Sequence, residues 1–202
     1  MRKVTLIAFV LFIGLITSQA QVKVSPGLRG GLNLARLTNI DNNNMKSEYY
    51  IGGLVDIKFN KLFTLQPELT YSRQGSNGII YFEDGFNPEK TKYDLNYITA
   101  GAVAKFYFNG QGFHVLAGPS VDFKVDDNFG RYGFDPIDVD LAFVGGIGYT
   151  LPNGLTFEAR FKQGFIDIYG YDGIDDYDDN GNYDDVILNQ VFQFGISYTF
   201  KM

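Results

Sequence analysis

Beyond the first two dozen residues, apolar side chains recur at every second position, and no segment shows the three-to-four spacing of an amphipathic helix. The stretch from Tyr93 to Phe108, YDLNYITAGAVAKFYF, is the clearest. Ile98, Ala100, Ala102, Ala104, Phe106 and Phe108 share one face, and Tyr97, Thr99, Gly101, Val103, Lys105 and Tyr107 share the other. One face is wholly apolar; the other mixes small side chains with a lysine. A strand of that kind suits lipid on one side and a narrow polar interior on the other.

Seven further segments repeat the pattern. From Lys23, Leu28, Gly30 and Leu32 oppose Arg29, Gly31 and Asn33. Tyr49, Ile51, Val55 and Ile57 then oppose Tyr50, Leu54, Asp56 and Lys58, and Phe63, Leu65, Leu69 and Tyr71 oppose Thr64, Gln66, Glu68 and Thr70. After the Tyr93 strand, Phe113 to Val125 alternate with His114, Asp122 and Lys124, and Leu141, Phe143 and Ile147 with Asp140, Ala142 and Val144. Phe157, Ala159 and Phe161 oppose Glu158, Arg160 and Lys162, and Phe192, Phe194, Ile196, Tyr198 and Phe200 close the series. Short turns near residues 60, 110 and 153 alternate with long connections near 40, 83, 131 and 177. This predicts an all-β fold, an eight-stranded antiparallel up-and-down transmembrane β-barrel with short turns at one end and long loops at the other. Pro67 interrupts the third strand and predicts a bulge or distortion there. Phe59, Phe63, Phe108, Phe113, Tyr149, Phe157 and Phe200 gather near the short-turn end, as an interfacial girdle would.

The N-terminus adds a destination. Arg2 and Lys3 precede an apolar run from Val4 to Ile16, and small residues at Ser18 and Ala20 fit a cleavage site. The run is shorter than the roughly 20 residues a spanning helix needs. We therefore expect a signal peptide over residues 1–20 and one barrel domain over 21–202. The formal charge of −6 argues against nucleic acid as a partner, and the absence of cysteine excludes disulfides and thiol chemistry.

Candidate chemistry is sparse. His114 is the single histidine, and no nucleophile, base and acid stand at a spacing that suggests hydrolysis, so the reading is non-enzymatic. Charges on the inward face are the more informative set: Arg29, Asp56, Glu68, Lys105, Glu158 and Arg160, with Lys58, Asp122, Lys124 and Lys162 beside them. An interior only as wide as its side chains cannot leave them unpaired, so they should pair with one another. In the loop DGIDDYDDNGNYDD, Asp176, Asp178, Asn180 and Asp184 echo the first part of a calcium-binding loop, although Ile187 stands where the closing glutamate belongs. Calcium is the one cofactor this pattern suggests.

RGGLNLA at Arg29 to Ala35, LQPELTYSRQG at Leu65 to Gly75, KFYF after Lys105, AGPSVDF at Ala117 to Phe123 and FGISYTF at Phe194 to Phe200 resemble the porin-like outer-membrane β-barrel family common in Bacteroidetes. The resemblance covers nearly all of the chain after the leader. It implies an eight-stranded barrel placed in the outer membrane by the barrel-insertion machinery, and a related PorT-like branch is tied to secretion and gliding. Family strands usually end on an aromatic residue, whereas Lys201 and Met202 follow Phe200 here. The functional expectation is an integral outer-membrane protein, in contact with the lipid bilayer, that supports the envelope or offers surface loops to a protein partner. The alternatives are an accessory component of a secretion or small-solute transport system, and a soluble lipocalin-like ligand-binding barrel.

Overall fold

The computed structural model describes residues 22–39, 44–80, 89–108, 112–132, 135–168 and 186–200. The expected leader lies outside them. Eight strands follow in chain order: β1 Lys23–Leu37, β2 Lys46–Lys58, β3 Phe63–Ile80, β4 Glu89–Tyr107, β5 Phe113–Asp127, β6 Val139–Thr150, β7 Leu155–Gly164 and β8 Asn189–Thr199. Each pairs antiparallel with its neighbours in sequence, and β8 closes on β1 from Gly27↔Thr199 to Leu37↔Asn189.

Local chemistry explains the tight turns. The Asn60 side-chain oxygen accepts the backbone N–H groups of Leu62 at 2.7 Å and Phe63 at 2.8 Å, which folds the chain back between β2 and β3. Between β6 and β7 the Asn153 side chain accepts the N–H of Leu155 at 3.0 Å, and Gly154 adopts a φ of 96° that a Cβ would strain.

A path along the paired residues from Gly27 passes Leu54, Glu68, Gly101, Ser120, Ala142 and Gly164, reaches the Asn189 end of β8, and re-enters β1 at Leu37. That stagger corresponds to strands tilted by roughly 40° around an interior just wide enough for side chains. The two faces divide as the alternation requires. Leu28, Ile51, Leu69, Phe143, Ile147 and Ile196 are 47–62% exposed on the outside, whereas Arg29, Gln66, Lys105, Asp122 and Arg160 are at most 4% exposed inside. A soluble ligand-binding barrel needs the reverse, an apolar cavity in a polar coat, so the lipocalin-like alternative does not fit.

The expected girdle is a chain of ring contacts at the short-turn end: Phe59 to Phe63 at 5.6 Å, Phe63 to Phe106 at 5.1 Å, Phe108 to Phe113 at 5.5 Å and Tyr198 to Phe200 at 5.4 Å between centroids. Toward the long-loop end, Tyr49 meets Tyr71 at 6.4 Å and Phe161 meets Phe192 at 4.8 Å, with Phe123 and Phe165 exposed beside them. Aromatic rows near both ends of an apolar belt mark where hydrocarbon gives way to polar headgroups.

Pro67 leaves a gap and no bulge. The β2–β3 ladder lacks pairs at Pro67 and Gln66 but resumes in the same register on either side, while Pro67 still pairs with Ala102 of β4. The register shift in the barrel sits elsewhere, between Asn96 and Tyr97 of β4, where Val125 of β5 is the extra residue. Beyond it, Leu37, Leu95, Tyr97, Ile168 and Phe129, the last from a short 3-10 turn at Phe129–Tyr132, form an apolar lid over the long-loop end of the interior.

Ala102 faces outward near the middle of β4, opposite Pro67. Ala102→Arg is expected to destabilise the barrel in lipid vesicles by about 2 to 4 kcal/mol. Thr99→Ser, which keeps the inward hydroxyl bonded to Asp122 at 2.6 Å, should cost far less. Urea titration of both variants against wild type checks the assignment of the two faces.

Candidate functional site: a charged interior under an apolar lid

Inward positions from four strands meet at mid-height in one connected network. Glu68 of β3 receives Arg29 of β1 and also Arg160 of β7, whose Nη1 lies 2.8 Å and 3.0 Å from the two carboxylate oxygens. Arg160 turns its other edge to Glu158, two residues before it on the same face of β7, with contacts of 2.7 Å and 2.9 Å. Glu158 in turn takes the Lys105 ammonium of β4 at 2.7 Å. The side chains of Arg29, Glu68, Lys105, Glu158 and Arg160 are each at most 6% exposed. Three cations and two carboxylates thus form a continuous chain across the bore, where bidentate guanidinium contacts give the pairing a fixed geometry.

Neighbouring side chains pack and hydrogen-bond around the ions. Gln66 donates to Glu68 at 2.9 Å, and the Arg29 guanidinium lies 4.9 Å from the centre of the Tyr50 ring. Tyr50 needs room, and Gly195 of β8 provides it: a Cβ there would collide with the Tyr50 hydroxyl. His114 is fully buried, with Nδ1 3.0 Å from the Gly112 carbonyl and the ring 4.7 Å from that of Tyr107. Gly148 leaves the space that ring occupies. The imidazole therefore packs as an interior side chain beneath the network, with Nε2 3.6 Å from Glu158.

Asp56 stands apart from this chain. It is half-buried at the short-turn mouth, has no ion pair among the described residues, and lines a cavity of about 520 Å³ with Lys23, Lys58 and Tyr107. Lys58 and Lys124, read as inward from alternation alone, lie at the two mouths: Lys58 is the last paired residue of β2, and Lys124 stands just past the last pair of β5 with β6. Lys58 is exposed, and Lys124 meets Asp127 at 3.1 Å and Asp135 and Asp138 at 3.4 Å on the long-loop rim. Asp176, Asp178, Asn180 and Asp184 lie outside the described residues. Among the described residues no group of three or more His, Cys, Asp or Glu side chains is placed to hold a metal ion.

Two features escape strand-by-strand reading. A layer of amides and hydroxyls sits above the ions: Asn33 donates to Ser72 at 2.9 Å, Gln193 donates to Asn33 at 3.0 Å, and Gln74 donates to Ser72 at 3.0 Å. At the rim, Lys46 reaches over β3 to Asp94 and also pairs with Glu48 at 2.8 Å, while Arg73 meets Glu48 at 3.3 Å. Both arise from contacts between strands distant in sequence, and the isolated strands carry no sign of them beyond polar residues at inward positions.

Removing one member of the Lys105–Glu158 pair strands a charge in a dry interior, and removing both does not. In a cycle of Lys105→Met and Glu158→Gln, the double variant should therefore lose about 1 to 3 kcal/mol less than the two single losses combined. Strictly additive losses in urea unfolding would mean that the two side chains do not act on each other.

Residues 19–170 match the family model described as "Outer membrane protein beta-barrel domain". Among solved structures, Neisserial surface protein A is 11% identical over 88% of this chain and 99% of its own, with a TM-score of 0.53. The outer membrane protein OprG from Pseudomonas aeruginosa is 14% identical over 91% of this chain and 99% of its own, with a TM-score of 0.50. At those identities the likeness is one of fold. No curated protein matches the sequence.

Proposed function

This chain belongs to the outer membrane protein beta-barrel domain family and lies in the outer membrane, and we propose that it is a non-enzymatic integral barrel that works by presenting its long-loop end to a protein partner at the cell surface. Export through a leader over residues 1–20, cleaved on the way, and placement by the barrel-insertion machinery belong to this reading. The termini and short turns then face the periplasm.

The observation that carries it is the length of one hairpin. β3 and β4 stay paired from Phe63↔Phe106 to Ile80↔Glu89, whereas β6 and β7 pair only from Thr150↔Thr156 to Ala142↔Gly164. A tilted strand of roughly 10 residues crosses the hydrocarbon, so the part of the hairpin beyond Arg73 and Asn96 rises roughly 20 Å above the rest. Among the described residues, no strand pairs with its β4 edge beyond the end of β5. Where the next strand would run, the Asn128 side chain takes its place, donating to the Lys92 carbonyl at 2.7 Å and accepting the Asp94 N–H at 2.9 Å. A raised, partly capped edge is suited to an extended segment of another protein.

The mixed-charge cavity of about 520 Å³ at the other mouth favours a second reading, an accessory component of a secretion or small-solute transport system that engages its partners from the periplasm. The resemblance to the PorT-like branch points the same way. Photo-crosslinking residues placed at Lys92 on the hairpin and at Lys61 in the short β2–β3 turn separate the two in intact cells. The surface reading expects a discrete protein adduct from position 92. Adducts from position 61 alone would reject it in favour of the second.

A further inference from the structure

We infer that the upper interior binds one monovalent metal cation between Asp140 of β6 and Asn189 at the start of β8. Asp122 and Asp140 stand directly opposite each other on neighbouring strands, and both are buried, at 0% and 2% exposure. Two carboxylates at a directly opposed pair repel unless each has its own positive partner. Asp122 has one. It receives the Lys162 ammonium, the Thr99 hydroxyl at 2.6 Å and the Gln74 amide at 3.5 Å. Asp140 accepts the backbone N–H of Ile166 at 3.2 Å through Oδ1, and its Oδ2 is buried with no hydrogen-bond partner.

The amides around this pair donate to Asp122 and to each other, and neither donates to Asp140. A carboxylate only accepts, so Gln74 turns its amino group toward Asp122 and Ser72, and its oxygen is left to receive Nδ2 of Asn189. That orientation leaves Asn189 Oδ1 buried and unpartnered on a side chain only 1% exposed. Gly164 leaves the space that the Asp140 carboxylate occupies. A Cβ on it would collide with Asp140 Oδ2 and stand 3.2 Å from the Asn189 carbonyl oxygen, so these two oxygens converge where the glycine has no side chain.

The charge balance selects the ligand. Asp122, Asp140 and Lys162 sum to one negative charge. A divalent ion would overshoot the balance in a low-dielectric interior, whereas a sodium or potassium ion closes it. Oxygen donors without sulfur or imidazole suit such a hard cation, with water completing its shell.

The test is urea unfolding of the refolded barrel in neutral phosphatidylcholine vesicles, followed by gel mobility, in sodium chloride and in choline chloride at equal ionic strength and pH. The midpoint should rise with the logarithm of sodium concentration and stay flat in choline, as a ligand held by the folded state requires. Asp140→Asn should abolish the sodium dependence, and Asp138→Asn, whose side chain is 87% exposed on the rim, should retain it. If Asp140→Asn does not fold, Asn189→Ser takes its place, with a weakened dependence expected. Equal midpoints in the two salts would overturn the inference, as would a sodium effect that survives at Asp140→Asn. A midpoint that responds to pH identically in both salts would assign the charge to a proton on Asp140 and overturn the metal site.

Discussion

Hydrocarbon offers no hydrogen bonds to a peptide group, and that constraint shapes everything else in this protein. An open sheet would expose two edges of unpaired N–H and C=O groups to lipid, so the eighth strand has to return to the first, as β8 does along β1 from Thr199 to Asn189. Closing eight strands with this stagger leaves an interior that side chains fill completely. The outward positions must then be apolar, while the inward ones can hold polar groups only if those groups satisfy one another. In the chain of Arg29, Glu68, Arg160, Glu158 and Lys105 every charge faces an opposite one, and the amides above it bond to one another.

Crowding inside explains where glycine and the large polar residues fall. Gly195 makes room for Tyr50, which supports Arg29, and Gly148 makes room for His114 beneath Glu158. Large and small inward residues on facing strands therefore depend on each other, and replacing either one disturbs the ion pairs as well as the packing. The lid of Leu37, Leu95, Tyr97, Phe129 and Ile168 closes the long-loop end with largely apolar surface. Bound by a lid above and salt bridges below, the interior behaves as a polar core, and the parts free to meet other molecules are the raised β3–β4 hairpin and the two mouths.

The alternation carried most of the fold because a two-residue period assigns every side chain to a face once the fold is closed. Leu28 outside and Arg29 inside, or Phe157 outside and Glu158 inside, follow from position alone. Stagger and depth do not. Nothing in β2 indicates that Asp56 stops short of the network or that Lys58 ends in water, and nothing in β5 indicates that Lys124 pairs at the rim, because depth depends on the register of the whole barrel. Pairing between strands is equally silent: Glu68 meets Arg160 across 92 residues of sequence, and that contact is set by the register of every strand between them. Pro67 distorts its strand as expected, in the form of a gap in the ladder and not of a bulge. A residue without an N–H need not force a bulge when the pairing lost at Val55 and Asp56 can be skipped without changing register.

The central claim is that eight tilted strands enclose a core of mutually paired charges and no open bore. Current through single protein molecules in a planar lipid bilayer tests it most directly. Wild-type protein, inserted and verified as folded by its heat-modifiable gel mobility, should pass no steady current at moderate voltage. A stable, ohmic conductance from that same folded species would contradict the claim, since ions would then be crossing the level at which Glu68, Arg160, Glu158 and Lys105 meet.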